Sequence, residues 1–440
     1  MTSTFYNNLL ISSIFPHKTE KCSIISPPTK RHSFLNGLAL LLNGSNQCTS
    51  VYPWFEKKQI LIARNESITN DDENYFDCFF GLIRIYSRFC LTLDEEGMSD
   101  TYSILKQTIF QYNKDKCIKR ILNPLFNDAL SNFEKLPNYD TDKICENISI
   151  EKQKKDIFSQ RDSIRKSRNT VGIKTIEKFQ GCCQLLYHSD IFRSIVSYIY
   201  YINNSNVRGY DRILYYLDKV SAHMRSLDLI LKCLEQRKLE YGETYKNIQW
   251  YFIKPIENIV ELNETPSSSF DKIWSACGLP DDQTKVDFKC EYIKDKFDTY
   301  DSTLKLSTCL HCEIRIIDYL IENNIHEVRD NDIEIGVAKL SCYPCSLYIE
   351  KLNAKYDRNF CVAVLTTRGK IYAKWAFRNN EDEIIKNHVG VQLCTLIKKE
   401  LERTHPKKSE YSDKQEAVVD DDDIDNKYMH RGINAYYKHQ

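Results

Sequence analysis

The spacing of apolar residues changes several times along the chain, and each change marks an element boundary. Phe34–Asn43 (FLNGLALLLN) is apolar on nearly every side, which predicts a buried helix. After a break at Gly44-Ser45-Asn46, residues 49–55 (TSVYPWF) and 59–64 (QILIAR) read as two short strands joined by a charged turn. Pro53 has no N–H for a ladder, so the first strand is expected at an edge or a bulge. From about Asp71 to Thr308 the pattern is mostly helical. Tyr75–Cys90 is dense in aromatic and aliphatic residues, and Tyr210–Gln236 repeats apolar residues at steps of three and four. Asn247–Leu262 reads as a further helix kinked by Pro255, Pro266-Ser267-Ser268-Ser269 as a loop, and residues 286–308 as helix. Ile333–Leu340 (IEIGVAKL), Phe360–Thr366 and Lys370–Ala376 are expected strands, the last two forming a hairpin across Arg368-Gly369. A final helix spans roughly Glu381–Arg403. Residues 1–31, with Pro27-Pro28, look like a loose leader. The polar stretch past Pro406, with its acidic run Asp420–Asp423, reads as a disordered tail.

Two short strings add chemistry to this outline. Leu310-His311-Cys312-Glu313-Ile314 contains H-x-E and opens a helical pattern through Ile314, Ile317, Leu320 and Ile321. Ser341-Cys342-Tyr343-Pro344-Cys345-Ser346 contains C-x-x-C and opens another through Leu347, Ile349 and Leu352. Zinc enzymes use three protein ligands and leave a fourth position for water. His311, Cys342 and Cys345 can supply the three, with the two sulfurs on one helix face. Glu313 is then free for proton transfer. H-x-E followed by C-x-x-C is the signature of zinc-dependent base deaminases.

A rival set exists, because Cys309-Leu310-His311-Cys312 is itself C-x-x-C. With Cys342 and Cys345 it makes the pattern of a four-cysteine structural zinc. Residues 313–341 separate the pairs, however, more than the roughly 15–20 residues usual for such sites. Neither pair contains the glycine of a tight metal-binding turn.

Composition narrows the setting. Lys+Arg and Asp+Glu are 61 each, so no global basic field draws in nucleic acid. The most basic stretch, Lys152, Lys154, Lys155, Arg161, Arg165, Lys166 and Arg168, is diluted by Glu151, Asp156 and Asp162 and reads as a solvated helix face. Asn7-Asn8-Leu9-Leu10-Ile11 is too short and polar for a signal peptide, and no segment is long enough to span a membrane. Seventeen cysteines, among them Cys78, Cys90, Cys182, Cys183 and Cys233 inside helical patterns, read as buried free thiols in a reducing interior. A soluble intracellular protein is expected, with cytoplasm and nucleus not distinguished. No internal repeat, phosphate-cradling glycine loop or Gly-x-Ser-x-Gly elbow is present.

The order strand, H-x-E helix, strand, C-x-x-C helix, two strands and helix resembles the cytidine-deaminase-like superfamily. More narrowly it resembles a toxin-derived deaminase-like family expanded in fungi. The residues that carry the likeness are His311, Glu313, Cys342, Cys345, the Lys339-Leu340-Ser341 approach, and Gly369-Lys370-Ile371-Tyr372 with Trp375, over about residues 305–400. The superfamily usually has Pro before the first Cys, where this chain has Ser341, with Pro344 inside the motif.

The resemblance implies an α/β fold: a three-layer α/β/α core with a large all-helical region inserted or preceding. Residues 32–66 would supply its first helix and hairpin, 71–300 the helical region, and 305–405 the zinc-binding core. It also implies Zn²⁺ as cofactor and Asn65, just after the second strand, as a substrate contact. The substrate would carry a cytosine- or adenine-type base, free or in single-stranded nucleic acid. Tyr372 or Trp375 could stack on it, at most one of them if the segment is a strand. The alternative is a catalytically silent scaffold that binds a protein partner through the helical region.

Overall fold

The computed structural model describes residues 2–15, 29–44, 48–134, 150–190, 192–196, 210–236, 245–290, 294–326, 332–362 and 370–404. The acidic stretch after Pro406 and the Arg368-Gly369 link lie outside the described residues.

A mixed five-stranded sheet organises the chain, in the order β3-β2-β1-β6-β7. β1 (Thr49–Trp54) and β2 (Gln59–Arg64) form an antiparallel hairpin, from Thr49 opposite Arg64 to Trp54 opposite Gln59. On its other side β1 meets β6 (Asp332–Val337) antiparallel, and β6 runs parallel to β7 (Asn359–Val362). Residues 49–64 thus share a sheet with residues 332–362, across more than two hundred intervening positions. β1 is an interior strand, not the expected edge. Pro53 is tolerated because pairing with β6 involves only Ser50 and Val51 and stops before it.

Alternation along the strands sends side chains to two cores. Tyr52, Leu61, Ala63, Ile333 and Ile335 pack in the core of the motif-bearing helices α13 (Cys312–Glu322) and α14 (Tyr343–Tyr356). Val51, Ile60 and Ile62 pack with α2 (Lys30–Leu41) and α3 (Asn70–Thr92). Helices therefore cover both faces, and the fold is mixed α/β and largely helical.

The helical region comprises α3, α4 (Glu95–Tyr112), α5 (Lys114–Ile121), α6 (Pro124–Glu134), α7 (Ile150–Lys166), α8 (Ile173–His188) and α9 (Tyr210–Glu235). The α9 helix joins it to the sheet. Ile213, Leu217 and Val220 sit in the core of the α5–α8 bundle, while Leu227, Ile230 and Leu234 sit in the core beneath α2 and the sheet.

The region is not all helical. Residues 247–262 form β3 (Gln249–Ile253), parallel to β2, and β4 (Glu257–Glu261), paired with β5 (Lys305–Cys309). The aromatic and branched run Trp250-Tyr251-Phe252-Ile253 suits a pleated surface, and Pro255 falls between two strands instead of kinking a helix. β5 likewise replaces the end of the expected 286–308 helix. Pro266-Ser267-Ser268-Ser269, read as a loop, opens helix α10 (Pro266–Ala276). Pro266 sits at its start, and the Thr265 side chain caps Ser268 N–H. Two further helices, α11 (Gln283–Phe288) and α12 (Lys294–Thr303), lead to β5.

Part of the expected loose leader is also helical. In α1 (Thr2–Ile14), Leu9, Leu10 and Ile11 are fully buried in the core of the motif helices. Two of its asparagines reach across to other elements: Asn7 Nδ2 donates to Glu264 O (3.2 Å), and Asn8 Nδ2 approaches Cys394 Sγ (3.0 Å) in the last helix, α15 (Glu383–Thr404). Cys90, Cys182, Cys183 and Cys233 are buried free thiols, whereas Cys78 is exposed. No helix of the described residues is long and apolar enough to cross a membrane.

The closeness of α2 to β6 gives a stability prediction. A Cβ at Gly336 would lie 2.4 Å from the Leu35 carbonyl carbon and oxygen, which are backbone and cannot swing aside. Asn36 Oδ1 pins the same contact by accepting Val337 N–H at 2.8 Å. Gly336→Ala is expected to destabilise by about 3 kcal/mol, the upper end for overpacking. Gly181→Ala, in the middle of α8 with nothing within 4 Å, should be neutral or stabilise by up to about 1 kcal/mol. Paired urea denaturation curves check this, and equal midpoints would contradict the contact.

Candidate metal centre and active site

Each motif lies where a strand hands over to a helix. β5 ends at Cys309, and His311 is the N-cap of α13, with Glu313 in its first turn. β6 ends at Val337, and Cys342 is the N-cap of α14, with Cys345 one turn on. Pro344 occupies an early position of α14, where its missing N–H is not needed.

The fold brings His311, Cys342 and Cys345 together, all buried, with one donor atom of each within 4.8 Å of the others. His311 Nδ1 is 3.4 Å from Cys345 Sγ and 3.5 Å from Cys342 Sγ. These three could hold a metal ion. Burial pushes the Cys342 thiol up, but the hydrogen bond with Cys345 and the His311 charge outweigh it and bring it down to about 6. Burial works against the His311 imidazolium, yet the neighbouring Cys342 thiolate raises it to about 9. Cys345 is driven well above its usual value, mainly by burial. The indole N–H of the fully buried Trp375 donates to Cys345 Sγ at 3.1 Å.

Glu313 is 3 % exposed and faces a cavity of about 450 Å³ that also meets His311 and Cys342. Asn65 lines the same cavity, and its Oδ1 accepts the Cys312 N–H at 2.9 Å, a helix-end donor without an intrahelical partner. This bond ties the end of β2 to the start of α13. Tyr372 forms another wall, its ring centroid 5.6 Å from that of His311.

The expected strand Lys370–Ala376 is irregular, with a single bridge from Trp375 to Cys309. Its backbone groups go to the site instead: Lys370 O accepts Tyr343 N–H at the start of α14, and Lys374 O accepts Cys309 N–H. Tyr372 faces the cavity while Trp375 is packed against Phe5, Tyr348 and Phe377.

The four-cysteine alternative is not assembled. Cys309 belongs to neither of the two donor clusters found among the described residues. The basic stretch of α7 is no continuous solvated face, since Lys154 and Arg161 are buried and Arg161 Nε donates to Ile121 O. Sequence reasoning missed Cys48, Glu66, Glu257 and Lys374, which also line the cavity. None of them sits in a motif; strand pairing and the 370–377 loop deliver them.

Comparison with known proteins agrees with this geometry. A family model described as OTT_1508-like deaminase matches residues 310–379, the span that holds His311, Glu313, Cys342, Cys345 and Trp375. A deaminase-like domain is thus present, and the cytidine-deaminase-like superfamily is consistent with the match. No curated protein and no solved structure matches the chain.

Proposed function

We propose that the protein is a zinc-dependent hydrolytic deaminase acting on a cytosine- or adenine-type base. The observation that carries this reading is a cluster of three buried metal donors, two of which line a single cavity together with one buried carboxylate. Zinc suits the donors. Tetrahedral zinc with Zn–N near 2.05 Å and Zn–S near 2.3 Å sets nitrogen and sulfur about 3.6 Å apart, and the two observed separations are 3.4 and 3.5 Å. Two thiolates and a neutral imidazole cancel its charge. Zinc held there supplies Lewis acidity, which makes a neighbouring water easier to deprotonate.

The chain's own residues do the rest. Glu313 accepts a proton from the attacking water and returns protons to the ring nitrogen and the departing amine. Overall, water adds, the C–N bond breaks, and ammonia leaves from a base that now carries a carbonyl. Asn65 has committed its oxygen to Cys312 N–H, so it offers a ligand the Nδ2 donors, suited to a base carbonyl or ring nitrogen. The cavity is of small-ligand size. A base within nucleic acid would enter only single-stranded or flipped out. The fold reading that goes with this function is a cytidine-deaminase-like three-layer core, with residues 71–300 as an insertion that returns β3 to the edge of the sheet.

Ammonia release from cytosine and adenine nucleosides and from single-stranded oligonucleotides, using protein dialysed to one zinc per chain, tests the proposal. Release from one substrate class is expected, with the matching loss of the amine. No release from the entire panel would overturn it.

A further inference from the structure

A second donor cluster stands beside the first and shares none of its ligands. The Cys48 and Cys312 sulfurs and a Glu313 oxygen all lie within 4.8 Å of one another. Cys48 precedes β1, and Cys312 opens α13. Ser50 Oγ donates to Cys312 Sγ at 3.1 Å, and Cys312 Sγ donates to Glu313 Oε2 at 3.4 Å. Cys48 and Glu313 both line the cavity, so an ion has a route from solvent.

We propose that Cys48, Cys312 and Glu313 form a second metal site, for a thiophilic divalent cation such as zinc or cadmium. Two sulfurs on a tetrahedral zinc lie about 3.8 Å apart, which side-chain rotation within the present spacing can reach. Sulfur donors select zinc or cadmium over magnesium and calcium, and the cavity leaves room for water as a fourth ligand. Binding displaces two protons, one from each thiol, and leaves two thiolates and one carboxylate around a dication. The consequence is inhibition: an ion held here occupies the Glu313 carboxylate that proton transfer requires. That consequence rests on the deaminase reading; the binding site itself does not.

The test is cadmium uptake by the full chain, measured by equilibrium dialysis and by thiolate-to-cadmium absorption in the ultraviolet. Wild type should take up one metal more than Cys48→Ala, with a stronger thiolate band, and magnesium should give no uptake. Glu313→Gln, which keeps both thiols, should weaken that increment at least tenfold and covers the case in which Cys48→Ala does not fold. His311→Ala should keep the increment while losing the first metal. This separates failure of the second site from failure of the deaminase centre. Equal uptake by wild type, Cys48→Ala and Glu313→Gln would overturn the proposal, whatever the ammonia assay shows.

Discussion

Glu313→Gln is expected to lower kcat/KM for the deaminated substrate by about 10²–10⁴-fold, with zinc unchanged at one per chain after dialysis against low free zinc, which empties the second site. Metal retention follows from the donor set, since His311, Cys342 and Cys345 would hold the first ion without Glu313. The loss of rate follows from the chemistry. Water must give up a proton and ammonia must gain one, and among the cavity-lining groups Glu313 is the buried carboxylate beside the metal donors. Glu66 and Glu257 also line the cavity, but both are exposed to solvent. Gln keeps the shape and loses only the proton acceptor, so the fold and KM should change little. Parallel measurement of ammonia release and zinc content decides the matter. Loss of this first zinc together with rate would make Glu313 one of its ligands, and a preserved rate would remove it from the chemistry. A catalytically silent scaffold would show no rate in either protein.

Much of the centre was legible because its chemistry is local. The ligand and acid positions fall in two short strings, His311 with Glu313 and Cys342 with Cys345, each where strand pattern gives way to helix pattern. Nothing local marks Cys48, Glu66 or Glu257, which reach the cavity only because β1 and β2 lie beside α13 and β4 pairs with β5. Asn65 came from the resemblance, as the residue just after the second strand, and the structure adds a bond to Cys312 N–H that no pattern announces.

The misread elements share a cause: tertiary contacts outweighed local pattern. Residues 247–262 carry apolar positions compatible with either period, and the open edge of β2 claims residues 249–253 as β3 while β5 claims residues 257–261 as β4. Lys370–Ala376 alternates like a strand, but its carbonyls complete the start of α14 and the end of β5. The segment read as a leader holds too few apolar residues for a membrane, yet enough to fill the groove between α10 and α15.

His311→Ala is expected to abolish zinc binding after dialysis against low free zinc, where wild type and Cys309→Ala each keep one ion per chain. The contrast tests which cysteines and histidine form the centre. His311 Nδ1 lies within 3.5 Å of both motif sulfurs, and removing it leaves two thiolates, one of them from a thiol that burial strongly disfavours as an anion. Cys309 lies at the end of β5, outside the donor cluster, and its thiol is raised chiefly by burial, so its loss should leave the ion in place. Low free zinc empties any weaker second site, so the count reports the first alone. Stability should follow the metal. At free zinc one hundred times the dissociation constant, binding adds about 2.7 kcal/mol, so wild type and Cys309→Ala should melt higher with zinc than with chelator. At free zinc low enough to leave the second site empty, His311→Ala should melt at one temperature in both. Zinc lost with Cys309 but kept without His311 would instead establish the four-cysteine site and withdraw the catalytic reading.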